Sequence, residues 1–181
     1  MKRLLISLFA TVTLIACGAA ETEPLLPSAT PAHRWVEATI LSPVPATPLH
    51  LRMAGIDAPV VPLTLTGTEL LPPPDPRVLG WWGRPVGARH GVTLLVGHTV
   101  HTGGGELDDL ESVPVGATAR VSGFAYEVTS VRVVSKPALA ARAANLFSQH
   151  GKHRLVVVTC EDYDAATGEY ASNVVLTAEP R

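Results

Sequence analysis

The chain has 181 residues and a formal charge of −2, so it can hold one domain with a full core and carries no basic footprint for nucleic acid. Aromatic residues make up only 5% of it, while 16 prolines and 15 glycines separate short Val- and Leu-rich runs. That composition excludes a long-helix architecture and favours a β-rich fold with many turns.

Met1-Lys-Arg3 opens the chain with positive charge, followed by an apolar run to Cys17. The run is about 12 residues long, the size of a secretory h-region and too short to span a bilayer. Leu14-Ile-Ala-Cys17, with Gly18 next, resembles the lipobox of bacterial lipoproteins. The resemblance implies cleavage before Cys17 and lipid on its sulfur; an ordinary signal peptide is the competing reading. Residues 1–17 are therefore expected to be a signal, and 18–48, with prolines at 24, 27, 31, 43, 45 and 48, a Pro/Ala/Thr-rich tether. Trp35 and Ile40 are the tether's candidates for docking on the domain. With Cys17 lipidated, Cys160 is the only thiol of the mature chain, an unpaired cysteine in an exported setting where cysteines are usually bridged.

The domain spans 49–181. Leu49-His-Leu-Arg-Met53 alternates as a half-buried strand does, and Ala58 to Leu63 reads as an extended piece whose prolines suit a sheet edge. Leu70-Leu71 reads as a strand stub. Leu79-Gly-Trp-Trp82 reads as a tryptophan pair in a Gly/Pro-rich loop running to Gly91; core filling and substrate contact both fit the pair. Val92 to His98 is an apolar strand ending in histidine, and Thr99 to Gly105 is a loop with His101 and three glycines. Glu106 to Leu110 fits one helical turn, Ala117–Val121 and Phe124–Val134 two strands joined at Ser122-Gly123, and Pro137–Ser148 a short helix. Arg154 to Cys160 is a strand buried on both faces, followed by a polar loop to Tyr170, and Asn173–Ala178 is the last strand. About eight strands with one or two short helices predict a compact barrel.

Cys160 and His98 each close an apolar strand. A thiol there fits either a plain core residue or a nucleophile, and a histidine at the end of a second such strand supplies the base that a nucleophile needs. His101 reads as a solvated loop residue. None of the seven histidines has tight ligand spacing with acidic partners, so no metal and no cofactor is expected.

From Leu49 to Ala178 the order of features resembles the sortases, in particular the actinobacterial class F. The matching pieces are Leu51-Arg-Met-Ala-Gly-Ile-Asp-Ala-Pro-Val60, Leu79-Gly-Trp-Trp82, Leu94-Leu-Val-Gly-His98, Leu107-Asp-Asp-Leu110, Val115-Gly116 and Val158-Thr-Cys160. The tail adds Tyr163-Asp164, Thr167-Gly168, Tyr170, Asn173-Val-Val175 and Ala178. The resemblance implies a closed eight-stranded β-barrel and a cysteine transpeptidase acting on sorting signals of the Leu-Pro-x-Thr-Gly kind. In that chemistry Cys160 attacks the Thr–Gly carbonyl to form a thioester, and His98 protonates the leaving amine and deprotonates the incoming one. The implied partners are surface-protein sorting signals and an amine acceptor such as peptidoglycan. The implied location is the outer face of the cytoplasmic membrane, held by the N-terminal lipid; hydrolysis is the side reaction.

One position departs from the family. Sortases generally carry an arginine on the last strand that donates to the substrate and the oxyanion; here Asn173 stands there. Asparagine can donate without charge, so it is the candidate oxyanion donor, and sequence assigns the role to none of Arg84, Arg89, Arg142 and Arg154. The departure keeps a second reading open, a catalytically weak sortase-like barrel that binds extended peptides. A cell-wall L,D-transpeptidase is rejected, because that family sets its His and Cys close together in a Gly-rich motif, whereas His98 and Cys160 are 62 residues apart.

Overall fold

The computed structural model describes residues 48–65 and 70–181. Cys17, its lipobox and the tether with Trp35 and Ile40 lie outside the described residues, as does the region on either side of Gly67. No helix among the described residues is long and apolar enough to cross a membrane.

Eight strands form the domain: β1 (Leu49–Met53), β2 (Ile56–Pro62), β3 (Leu79–Gly83), β4 (Val92–Val96), β5 (Thr118–Val121), β6 (Phe124–Ser135), β7 (Arg154–Asp164) and β8 (Glu169–Pro180). One helix, α1 (Lys136–Leu146), and a 3₁₀ turn at Leu110–Ser112 complete it. The strands close into a barrel in the order β1-β2-β3-β4-β7-β8-β6-β5, as the sequence predicts. Neighbours are antiparallel except β2–β3 and β4–β7, which run parallel.

The side-chain period of two gives every strand an inner and an outer face. Inside, Leu51, Trp81, Leu95, Tyr126, Leu155, Val157 and Leu176 share one core. Outside, Val92, Leu94, Val156, Val158 and Val175 form a second cluster, covered by Trp82 and by Leu139, Leu146 and Phe147 at the α1 end. Both faces of β7 are therefore covered, and this is why Leu155 to Thr159 reads as an unbroken buried run. Each aliphatic side chain so buried contributes about 1.5–3 kcal/mol.

Four local expectations are corrected. Leu79-Gly-Trp-Trp82 is a strand, not part of a loop, because β2 and β4 pair with it on either side; Trp81 fills the barrel interior while Trp82 faces out. β2 is no edge: it pairs with β1 and β3. Its prolines are accommodated because Pro59 comes just before the β3 ladder begins at Val60, and Pro62 is its last residue. Leu70 and Leu71 form no strand; Leu70 packs on the outer cluster while Leu71 is exposed. The polar stretch after Cys160 is largely strand, since β7 continues to Asp164 and pairs with the start of β8.

A buried polar chain ties the loop after β3 to the barrel. His153, only 5% exposed, donates through Nδ1 to the Gly91 carbonyl at 3.1 Å and accepts from the Tyr126 hydroxyl at 3.0 Å through Nε2. The Tyr126 oxygen accepts in turn from the Gly87 amide at 3.0 Å. The set is satisfied only with neutral imidazole, and burial lowers the His153 pKa against the opposing Gly91 bond. A depressed histidine pKa means the unfolded chain takes up the proton first, so this contribution is complete above about pH 6.5 and is lost as pH falls through the folded-state value. Melting temperature should therefore drop on acidification below that point, and His153→Gln should flatten the drop; an unchanged slope in the variant would rule His153 out as its source.

Candidate active site

Cys160 sits within β7 rather than at its end, half-buried and unpaired. Counting by two from Val156 and Val158 puts its side chain on the outer face. Its partner on β8 is Asn173, whose partner on β6 is Val134. On the other side β4 runs parallel to β7 with Val96 opposite Val158, and the Gly97 amide donates to the Val158 carbonyl at 3.2 Å. Carrying that register on by two residues, past the end of β4, sets His98 beside Cys160. Three of the residues singled out from sequence, His98, Cys160 and Asn173, thus come to one end of the outer face, from the segment just after β4 and from the adjacent strands β7 and β8.

The residues flanking His98 are held from β7. The buried Thr159 hydroxyl donates to the Gly97 carbonyl at 3.0 Å. Its proton is thereby used, so at the 2.8 Å contact between the two hydroxyls Thr99 is the donor. Gly97 must be glycine for packing: a Cβ there would overlap Leu79 Cδ2 and crowd Leu107. Further on, Asp108 accepts from the Val100 and Gly105 amides at 2.7 and 3.0 Å. Tyr170 donates to the Thr99 carbonyl at 2.8 Å and accepts from the His101 amide at 3.0 Å. His101 is exposed, as expected, but its ring stacks on Tyr163 at 3.7 Å. The hairpin beyond Cys160 therefore grips the loop beyond His98. Tyr170→Phe removes both hydroxyl contacts and should destabilise the fold by about 1–3 kcal/mol, with a rise in amide exchange at Val100 and His101; unaltered exchange there would show that the grip is not functional.

The imidazole itself is oriented. His98 Nε2 lies 2.8 Å from the Pro73 carbonyl oxygen, and a carbonyl can only accept, so Nε2 carries the proton. In neutral imidazole Nδ1 is then the basic nitrogen. Asn173 Nδ2 donates to the Thr159 carbonyl at 3.1 Å; its second amide N–H is the one able to serve a ligand.

Burial pushes the Cys160 thiol pKa up, and the positive charge of Lys136 pulls against it. Lys136 is the site residue that sequence reasoning misses. It follows Ser135, which is extended and pairs with Ser172 next to Asn173, so the strand alternation of β6 brings it to the face that holds Cys160. No local signal marks it, because two strand pairings, β6–β8 and β8–β7, bring it there. Of the arginines, Arg84 is bonded to the Gln149 carbonyl and Arg154 to the carbonyls of Asn145 and Leu146 at the end of α1. Arg154 lies six positions before Cys160 on β7.

The sortase domain family model matches residues 49–181, and no curated protein matches the sequence. Sortase C-1 from Actinomyces oris is similar in structure with a TM-score of 0.56 at 19% identity, covering 82% of this chain and 79% of that one. Sortase A from Listeria monocytogenes gives 0.56 at 13% identity, with 76% and 88% covered. A lid mutant of sortase A from Corynebacterium diphtheriae gives 0.54 at 19% identity, with 74% and 69% covered. At these identities the structures share the barrel fold.

Proposed function

The chain belongs to the sortase family, and from that premise we propose that it is an extracytoplasmic cysteine transpeptidase of class F type with Cys160 as nucleophile and His98 as acid–base. One observation carries the proposal: the register pairs Cys160 with Asn173 on one side, and the β4–β7 ladder, extended two residues beyond Val96–Val158, points His98 toward Cys160 on the other. Cys160 Sγ attacks the carbonyl of the Thr–Gly bond in a Leu-Pro-x-Thr-Gly-type signal and its proton passes to His98. The oxyanion takes a hydrogen bond from Asn173. His98 returns the proton to the departing amine as the C–N bond breaks, leaving a thioester on Cys160. An acceptor amine, of peptidoglycan or another surface component, then attacks the thioester and gives its proton to His98; the amide forms and the thiol is restored. Water in place of the amine gives hydrolysis. Lipid on Cys17 holds the domain at the outer face of the cytoplasmic membrane through the tether.

The raised thiol pKa and the uncharged Asn173 favour a second reading, a barrel that binds such peptides and turns them over poorly. Single-turnover mass spectrometry with a Leu-Pro-Ala-Thr-Gly peptide separates the two. An acyl adduct on Cys160 that a soluble amine discharges supports the transpeptidase. Saturable binding without an adduct, together with thiol labelling no faster than free cysteine, removes it in favour of the binding module.

A further inference from the structure

The outer face continues from the Cys160 row into a cleft of about 530 Å³ between α1 and strands β6–β8, lined by Val134 and Val175 nearest the row and by Arg132, Arg142, Arg154 and Glu179 beyond. Three guanidinium groups meet one carboxylate there, and none of the three is ion-paired among the described residues. Arg132 Nε donates to a neutral hydroxyl, that of Ser130, at 3.2 Å. Arg154 spends Nη2 on the last carbonyls of α1, while its Nε is buried with no partner among the described residues. Uncompensated cations in a partly enclosed cleft focus positive potential, and the planar guanidinium fork matches a carboxylate.

The chemistry of the Cys160 row fixes which half of a substrate lies over this cleft. His98 must reach the departing amine, so the leaving group lies on the β4 side of Cys160. The acyl half, which stays on the sulfur, then extends the other way, across β8 toward β6. Arg132 pairs with Val175, two residues along β8 from Asn173. With strands about 4.8 Å apart and about 3.3 Å per residue along both strand and extended peptide, Arg132 lies about 12 Å from Cys160. The residues about four and five upstream of the cut bond, with the threonine as the first, therefore pass over it, and Arg154 lies farther out along β7.

We propose that this cleft receives an acidic side chain, best a glutamate, from the acyl-donor peptide upstream of the bond that is cut; the inference rests on the assignment of Cys160 and His98 above. Val134 and Val175 accept the methylenes of the glutamate and the arginines its carboxylate. The donor signal would then depart from the Leu-Pro-x-Thr-Gly kind at its leading end, in keeping with a cleft that carries charge as well as apolar floor.

The test compares Ala-Leu-Pro-Ala-Thr-Gly with the two versions carrying glutamate at the first or second position. Binding to the Cys160→Ala protein is followed by fluorescence anisotropy, and single-turnover acylation is measured on the unsubstituted protein. One glutamate peptide should bind about tenfold more tightly than the parent, with the advantage shrinking as salt is raised. Arg142→Gln and Arg132→Gln should each narrow the ratio between the two peptides, and Arg142→Glu should invert it. Equal or tighter binding of the leucine parent, or a ratio that ignores the arginine substitutions, overturns the proposal. A glutamate preference in binding with no acylation of Cys160 by any peptide keeps the acidic-peptide site and removes the transpeptidase.

Discussion

Cys160→Ala should abolish the acyl-enzyme, and His98→Ala should slow its formation by about 10²–10⁴-fold, with the barrel intact in both. Neither side chain belongs to the interior cluster that holds the strands together, so circular dichroism and melting should change little. The two effects should differ in their pH dependence. With the Cys160 thiol pushed up by burial, little thiolate forms at neutral pH without a base, and His98 supplies that base through Nδ1, since Nε2 is bound to Pro73. In the His98→Ala protein the residual acylation should therefore climb steadily with pH as hydroxide replaces the imidazole, while the unsubstituted protein shows a shallower rise. An acylation rate within threefold of the unsubstituted protein would remove His98 from the chemistry. The remaining explanation would be that its bond to Pro73 merely closes the β4 loop, a structural role that a melting shift would report.

The barrel was legible where local pattern and tertiary pairing agree. Leu155 to Thr159 is five buried residues in a row, and its shortness and β-branched content point to a strand covered on both faces rather than a buried helix. Leu49 to Met53 alternates, and it forms a strand with one face inward. Leu79-Gly-Trp-Trp-Gly83 failed for the opposite reason: glycine at its second and last positions and proline nearby spell a loop locally, and only pairing to two neighbours makes it β3. The polar residues after Cys160 misled in the same way. Glu161 to Asp164 carry no apolar signal, yet they form the exposed end of a long hairpin whose ladder with β8 supplies the stabilisation. Asp162, at φ 58°, bends it two residues past Cys160, a conformation aspartate tolerates better than most.

The site divides along the same line. His98 and Cys160 are visible in sequence because each ends a run of its own, and two such endings in one small domain call for a joint explanation. Lys136 is not, and the tasks of Tyr170 and Thr159, both in the quoted motifs, are not either, because each acts on a residue far away in sequence: Tyr170 grips Thr99, Thr159 holds Gly97, and Lys136 reaches Cys160's field only through β6, β8 and β7.

Asn173→Ala should lower acylation by about 10²–10³-fold, the usual cost of removing one oxyanion donor, with the loss in the chemical step rather than in peptide binding. Lys136→Met should act more gently, about two- to fivefold, as befits an exposed charge screened by water. Its mark is different in kind: it should shift the pH dependence of Cys160 alkylation upward, because the cation that opposes the burial effect is gone. Asn173→Ala also deletes the bond to the Thr159 carbonyl, so its melting temperature must be measured beside its rate. Should Asn173→Ala stay within threefold while Lys136→Met loses most of the activity, the carboxamide would be a strand tie and the charge the true substitute for the family's arginine. Should Asn173→Ala lose the larger share with its fold intact, a neutral donor suffices at this position. Asn173→Arg then becomes the informative variant: restoring the charge should raise acylation only if the lack of it is what limits the rate.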